Sequence, residues 1–305
     1  MRTIQGPGAV GSLVQDIQTS LNKAGFSVGT ADGDYGGRTK TAVSAFQTAQ
    51  GMTASGAVDD GTWPGLMNAP IPAVADRSLQ LTSCIEGHGF TLAMGNFDGA
   101  LLTWGIIGFT MAAGNVQKIV LGVNGTNPDS VTTAFGDNAA QLLSIMQDTR
   151  ANQTVWANSI TMSGGQLAQP WRDRFAAFGM DPVVRAAQLD LVRTGYTNPA
   201  IRTAKNNGLT TELGLALCFD IHVQNGGINS TAAASIAAGR TDGMAESDLL
   251  ALITKSVAGA SNPKWAADVL QRKMAIATGA GTVHGRNLVL ENWGLSIDFS
   301  APELA

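Results

Sequence analysis

Three residues in one short stretch have the types that acid–base chemistry needs: Glu86, Asp98 and, five positions further on, Thr103. Hydrolysing a glycosidic linkage takes a protonated carboxyl beside the leaving oxygen and a carboxylate that activates water on the opposite face of the sugar. A helix ending in one carboxyl, followed by a hairpin carrying the other, can hold the two across a groove. Ile85 and Phe90 flank Glu86, and apolar neighbours favour the neutral, proton-donating form of a carboxyl. Asp98 lies in the polar turn Asn96-Phe-Asp-Gly and keeps its charge more readily, while Thr103 could hydrogen-bond the attacking water. A plainer reading stands beside this one. A Glu at a helix end is ordinary and Asp-Gly is a common turn pair, so spacing alone leaves both open.

Other polar residues offer supporting roles. His88, two positions past Glu86, could perturb it or line the groove, and Trp104 could give a sugar a face to stack on, with packing into the core the favoured reading. Asp220 sits in an apolar helix, where a buried carboxylate must be paired; a brace for the core is the favoured reading. Gln224 and Asn225, near the end of that helix, are better placed for sugar contacts. His222 and His284 lack metal-ligand spacing, and Gly279-Ala-Gly281 fits no phosphate loop. No metal and no cofactor are expected. Cys84 and Cys218 lie in apolar stretches and read as core thiols.

The elements that must position these groups are mostly helices. Leu13, Ile17 and Leu21 recur at helical spacing with Gly25 as a stop. After the turn Asp32-Gly-Asp-Tyr-Gly-Gly, Thr39 is the expected N-cap of a second helix that buries Ala42, Val43 and Phe46. Thr62, Trp63 and Leu66 make a third, and Asn68-Ala-Pro-Ile-Pro-Ala marks a linker. Beyond it, a helix is expected over 75–86 and a hairpin around Asn96-Phe-Asp-Gly. Helical blocks follow at 116–123, 139–146, 171–178, 183–191, 249–253 and 265–276. Leu213 to Ile221 is hydrophobic nearly all round and reads as the central helix. The fold class is therefore mainly α: a small three-helix module plus a larger α+β domain with a short β-hairpin.

The first module resembles a known family. Val14-Gln-Asp-Ile-Gln, Leu21-Asn, Gly25-Phe, Asp32-Gly-Asp-Tyr-Gly, Thr39, Ala42-Val43, Phe46-Gln47, Gly56, Asp59, Thr62-Trp63 and Leu66 are together similar to the peptidoglycan-binding domain type 1 family. The resemblance implies a module that holds cell-wall hydrolases on their polymer, with the matched residues building its fold. The larger domain resembles glycoside hydrolase family 46, the chitosanases, within the lysozyme-like superfamily. The stretches that carry this are Leu79-Gln-Leu-Thr-Ser-Cys-Ile-Glu86-Gly, Asp98-Gly-Ala-Leu-Leu-Thr103-Trp-Gly-Ile-Ile-Gly-Phe-Thr, Val184-Arg-Ala-Ala-Gln188, Asn198-Pro-Ala, Asn207-Gly-Leu and Cys218-Phe-Asp220-Ile-His-Val-Gln224-Asn-Gly-Gly. It implies Glu86 as general acid, Asp98 as the group that activates water, Thr103 as the residue that positions it, and an inverting course. Two departures fall where the family's substrate groove is expected: a shorter loop between Glu86 and Asp98, and Leu102 in place of an aromatic. The domains expected are residues 1–69, a linker over 70–76, and a lysozyme-like hydrolase domain over 77–305.

Composition narrows the field. In 305 residues, 44% are hydrophobic and 14% charged, with a formal net charge of −4. That balance excludes disorder and the electrostatic footprint of a nucleic-acid binder. The longest apolar stretch, 101–113, is too short to span a bilayer, so no membrane insertion is expected, and the chain is expected to be a monomer. The N-terminus has no signal-peptide apolar region, which suggests, by analogy with phage endolysins, synthesis in a host cytoplasm and action on the wall after release. Bacterial peptidoglycan is the expected partner and its N-acetylmuramic acid–N-acetylglucosamine β-1,4 bond the expected target. The alternatives are a chitosanase, a lytic transglycosylase, and a non-catalytic wall-binding or virion structural protein.

Overall fold

The computed structural model describes residues 1–87 and 89–305; His88 lies outside the described residues. The fold is mainly α, as expected, with short strands in three small sheets among the described residues. Two compact units divide the chain: residues 1–85 with 196–305, and residues 86–195.

Within the first unit, strand Thr3–Gln5 pairs antiparallel with Val58–Asp59, and helices Ser12–Lys23, Gly37–Ala49 and Thr62–Met67 close over a core of Val14, Ile17, Leu21, Val43, Phe46 and Trp63. Two buried glutamines do the same job at two turns. Gln18 accepts the Gly33 N–H at 2.7 Å and donates to the Asp34 carbonyl at 2.9 Å. Gln47 accepts the Gly56 N–H at 2.9 Å and donates to the Ala57 carbonyl at 2.8 Å. Each carboxamide oxygen thereby satisfies the N–H of a buried glycine, which left unpaired would cost about 1–3 kcal/mol. Thr39 is not the N-cap: its helix starts two residues earlier with Gly36 in that place. The Thr39 hydroxyl is buried and accepts from the Gln18 amide at 3.0 Å.

The connection after Thr62–Met67 is short. Trp63 Nε1 donates to the Pro70 carbonyl at 3.0 Å, and helix Val74–Glu86 begins at once. The module is built into its unit rather than hung from it. Gly6 N–H donates to the Asn292 carbonyl at 2.8 Å, and Ser12 Oγ to Gln80 Oε1 at 3.1 Å.

Helix Glu212–Asn225 is the central helix expected, buried from Glu212 to Ile221. Thr211 caps its start, accepting the Gly214 N–H at 3.1 Å, and Gly226 stops it at φ 72°. Both ends of the buried stretch carry charge. Glu212 is paired with Arg77 at 2.9 Å and with Arg2. Asp220 meets Arg272 at 2.6 Å and Lys273 at 2.5 Å, and Thr82 donates to it at 3.2 Å. Arg272 and Lys273 come from helix Ala266–Ala277, which runs into the hairpin Ala280–Val283/Arg286–Val289.

The second unit holds helices Asn115–Thr126, Pro128–Phe135, Ala139–Met146, Arg150–Ser159, Trp171–Met180 and Pro182–Val192. They surround an aromatic core in which Phe135 packs edge-on to Phe175 (5.1 Å) and to Phe178 (5.2 Å). A three-stranded antiparallel sheet, Ala93–Met94, Thr103–Trp104 and Phe109–Thr110, lies in this unit. The expected hairpin is present, but Asp98-Gly99 is not its two-residue turn: residues 95–102 form a wider loop between the first two strands.

Candidate active site

Strand pairing sorts the candidate residues. Residues directly opposite in an antiparallel pair share a face. Ala93, Trp104 and Phe109 stand in one row and are all buried; Met94, Thr103 and Thr110 stand in the other and are all partly open. Thr103 is therefore on the half-exposed face of the sheet. Trp104, the next residue, must face inward. It has no exposed surface, stacks on Phe178 at 5.5 Å and donates Nε1–H to the Phe175 carbonyl at 3.1 Å. Of the two readings of Trp104, packing into the core is the one the structure shows, and its ring offers no face to a sugar. Leu102 is fully buried too, so the residue standing in place of the family's aromatic does not line a groove.

Asp98 is exposed in the loop before Thr103, and its Oδ1 accepts the Ala100 N–H at 3.0 Å. Asn96 shapes that loop. Its side-chain carbonyl accepts the N–H groups of Gly99 and Leu101, each at 3.1 Å, and its amide donates to Asn158 Oδ1 at 2.8 Å. Leu101 has φ 68°, a left-handed conformation that costs a bulky residue about 1–3 kcal/mol. Burial of its side chain and the Asn96 hydrogen bond hold it there. Backbone strain of this kind clusters at working sites.

Glu86 is half-buried, the last residue of helix Val74–Glu86 and the first of the second unit. Gly87 follows at φ 69° and turns the chain away from the helix. The segment beyond is pinned at Phe90. Gln188, wholly buried, donates to the Phe90 carbonyl at 3.2 Å and accepts the Ile106 N–H at 3.0 Å. One carboxamide thereby joins the stretch after Glu86 to the turn after Thr103. Gly105, at φ 89°, gives it room, because a Cβ there would come within 2.5 Å of Gln188 Oε1. Gly179 plays a similar part: its would-be Cβ falls 2.1 Å from the Phe90 carbonyl oxygen. Gln188 was legible only as a matched residue; its two-ended job needed the fold.

Gln224 and Asn225 lie in the first unit, whereas Glu86, Asp98 and Thr103 lie in the second. Gln224 is committed within its unit, accepting from Lys273 at 2.5 Å and donating to Asp268 at 3.1 Å. Asn225 donates to Ser261 at 3.4 Å, and its Oδ1 is buried with no partner among the described residues. The expected sugar contacts thus have structural occupations. Asp220 is the brace that was favoured: burial pushes its carboxyl up, but Arg272 and Lys273 overcome this and hold it well below the usual carboxylate range. His222 shares a 2.8 Å hydrogen bond with Thr203, and burial, assisted by Arg202, lowers its pKa. Cys218 is buried, which pushes its thiol up to about 12; Cys84 is partly open, with its thiol also raised by burial.

Residues 88–273 match the model of glycosyl hydrolase family 46, and the chain belongs to that family. It is accordingly a glycoside hydrolase, and its residues 10–64 match the model described as "Putative peptidoglycan binding domain". Among solved structures it is similar to a Gynuella sunshinyii GH46 chitosanase in complex with chitotetraose, at 20% identity over 68% of this chain and 87% of that one, with a TM-score of 0.44. A native chitosanase from Bacillus subtilis MY002 is similar at 20% identity, over 68% and 88% of the respective chains, with a TM-score of 0.49. No curated protein matches the chain.

Proposed function

We propose that the protein hydrolyses the β-1,4 bond between N-acetylmuramic acid and N-acetylglucosamine in bacterial peptidoglycan. The observation that carries this reading is the pairing, in one chain, of a peptidoglycan-binding module at 10–64 with a family 46 hydrolase domain at 88–273. Holding an active site beside an insoluble polymer raises its effective concentration there. In this reading Glu86 protonates the leaving oxygen, Asp98 deprotonates water, and Thr103 orients that water from the open face of the sheet. The family likeness suggests an inverting course, which needs the two carboxyl groups roughly 6.5–9.5 Å apart. The site of action is the bacterial cell wall, and the protein works as a monomer.

Family membership favours a second reading, hydrolysis of chitosan. Reducing-end release from purified peptidoglycan and from chitosan separates the two. Release from peptidoglycan is expected; activity confined to chitosan overturns the proposal in favour of its rival.

A further inference from the structure

An open groove of about 500 Å³ lies in the second unit along the loop that carries Asp98, and none of the described side chains lining it is charged. Met94, Asn96, Phe97, Thr161, Met162 and Gly165 form its walls. Two large apolar side chains are left in water here: Phe97 is 61% exposed and Met162 56%. The groove's polar side chains are already hydrogen-bonded within the protein. The Asn96 side-chain oxygen accepts two N–H groups of its own loop, and its amide donates to Asn158 in the helix Arg150–Ser159. The Thr161 hydroxyl donates to the Ala157 carbonyl at 2.7 Å and accepts the Asn96 N–H at 2.8 Å. The Met162 N–H donates to the Gln166 carbonyl at 2.7 Å. What the groove offers a ligand is therefore apolar surface.

Its construction is specific. The Phe97 side chain lies against the Cα of Gly165, where a Cβ would meet it at 2.8 Å. Its position is also specific. Phe97 immediately precedes Asp98, and Met94 stands opposite Thr103 on the open face of the sheet. Two of the groove's residues are thus next to the groups assigned to handle the attacking water, Phe97 along the chain and Met94 across the sheet.

We propose that this groove is a subsite for an N-acetylated amino sugar, with Phe97 stacked on the C–H face of the ring and Met162 and Met94 enclosing the acetamido methyl. The inference rests on the peptidoglycan reading and deepens it. A free amino sugar would bring an ammonium against these walls, where no carboxylate among the described lining residues repays its desolvation. The groove therefore selects for acetylated substrate, and a pocket contact with one methyl group discriminates by about tenfold or more.

The test uses the full chain on purified sacculi and on the same sacculi after chemical de-N-acetylation, with kcat/KM measured by reducing-end release. The parent is expected to prefer the acetylated wall by about tenfold or more. Phe97→Ser and Met162→Ser, tested separately and checked by thermal melting, are each expected to shrink that preference severalfold. A parent that cleaves both sacculi equally, or variants that melt like the parent and keep its preference, overturn the subsite and leave the peptidoglycan reading standing. A parent that cleaves chitosan but neither form of sacculus overturns both.

Discussion

Gln188 accepts the N–H of Ile106 at 3.0 Å from a wholly buried position, and the same side chain donates to the Phe90 carbonyl. A single helix residue thereby sets the spacing between the segment that leaves Glu86 and the turn that follows Thr103. Replacing it with leucine keeps the volume but strands one donor and one acceptor in the interior. Gln188→Leu is expected to lower stability by about 1–3 kcal/mol, read from denaturant unfolding. Turnover is expected to fall by up to about a hundredfold, because small misplacements of acid and water are costly. A variant that loses stability but keeps the parent's kcat would limit Gln188 to holding the fold.

Trp104 yields a prediction of the opposite kind. With no exposed surface and an indole N–H bonded to Phe175, it acts on the core. Trp104→Ala is expected to cost about 3–5 kcal/mol, seen as a lower denaturation midpoint. The KM of the fraction that stays folded is expected to be close to the parent's. A large rise in KM without loss of stability would put the ring back at the sugar.

Strand geometry decides between the two readings of Trp104. Thr103 and Trp104 are consecutive in a strand, so one must face out and the other in; that alternation was open to view in the sequence once the strand was recognised. Helical spacing made the core of the N-terminal module and the buried run Leu213 to Ile221 legible. Asp220 could be seen to need a partner, but Arg272 and Lys273 lie far along the chain, and no periodic pattern encodes a long-range ion pair. The hairpin Ala280–Val283/Arg286–Val289 went unread because its turn is His284-Gly285, with φ 48° and 77°; asparagine or aspartate ordinarily announces such a turn. Gln224 and Asn225 looked available because their amides are polar, and only the fold shows that Lys273, Asp268 and Ser261 use them.

The Asp220 cluster should be intolerant of partial removal. Asp220→Asn leaves Arg272 and Lys273 buried beside a neutral group, and breaking a buried pair from one side costs about 3–5 kcal/mol. Chemical unfolding of Asp220→Asn is expected to show a loss of that order, and a change within experimental scatter would contradict the brace.

His222 gives stability a dependence on pH. Burial lowers its folded-state pKa below the ordinary value, about 6.5 in an unfolded chain. The unfolded state therefore takes up the proton first as pH falls. The contribution is fully present above about pH 6.5 and is lost as pH drops through the folded-state value. Melting temperature is expected to decline across that window in the parent and to decline less in His222→Gln. Identical slopes for the two proteins would assign the decline to other groups.

The most direct test of the account is digestion of purified sacculi in oxygen-18 water by the parent, Glu86→Gln and Asp98→Asn, with product masses read by mass spectrometry. The account predicts reducing ends labelled with oxygen-18 from the parent and no turnover from either variant, while both variants still bind the wall. Unlabelled anhydro-sugar products, or a Glu86→Gln protein that releases labelled fragments at the parent's rate, would contradict it.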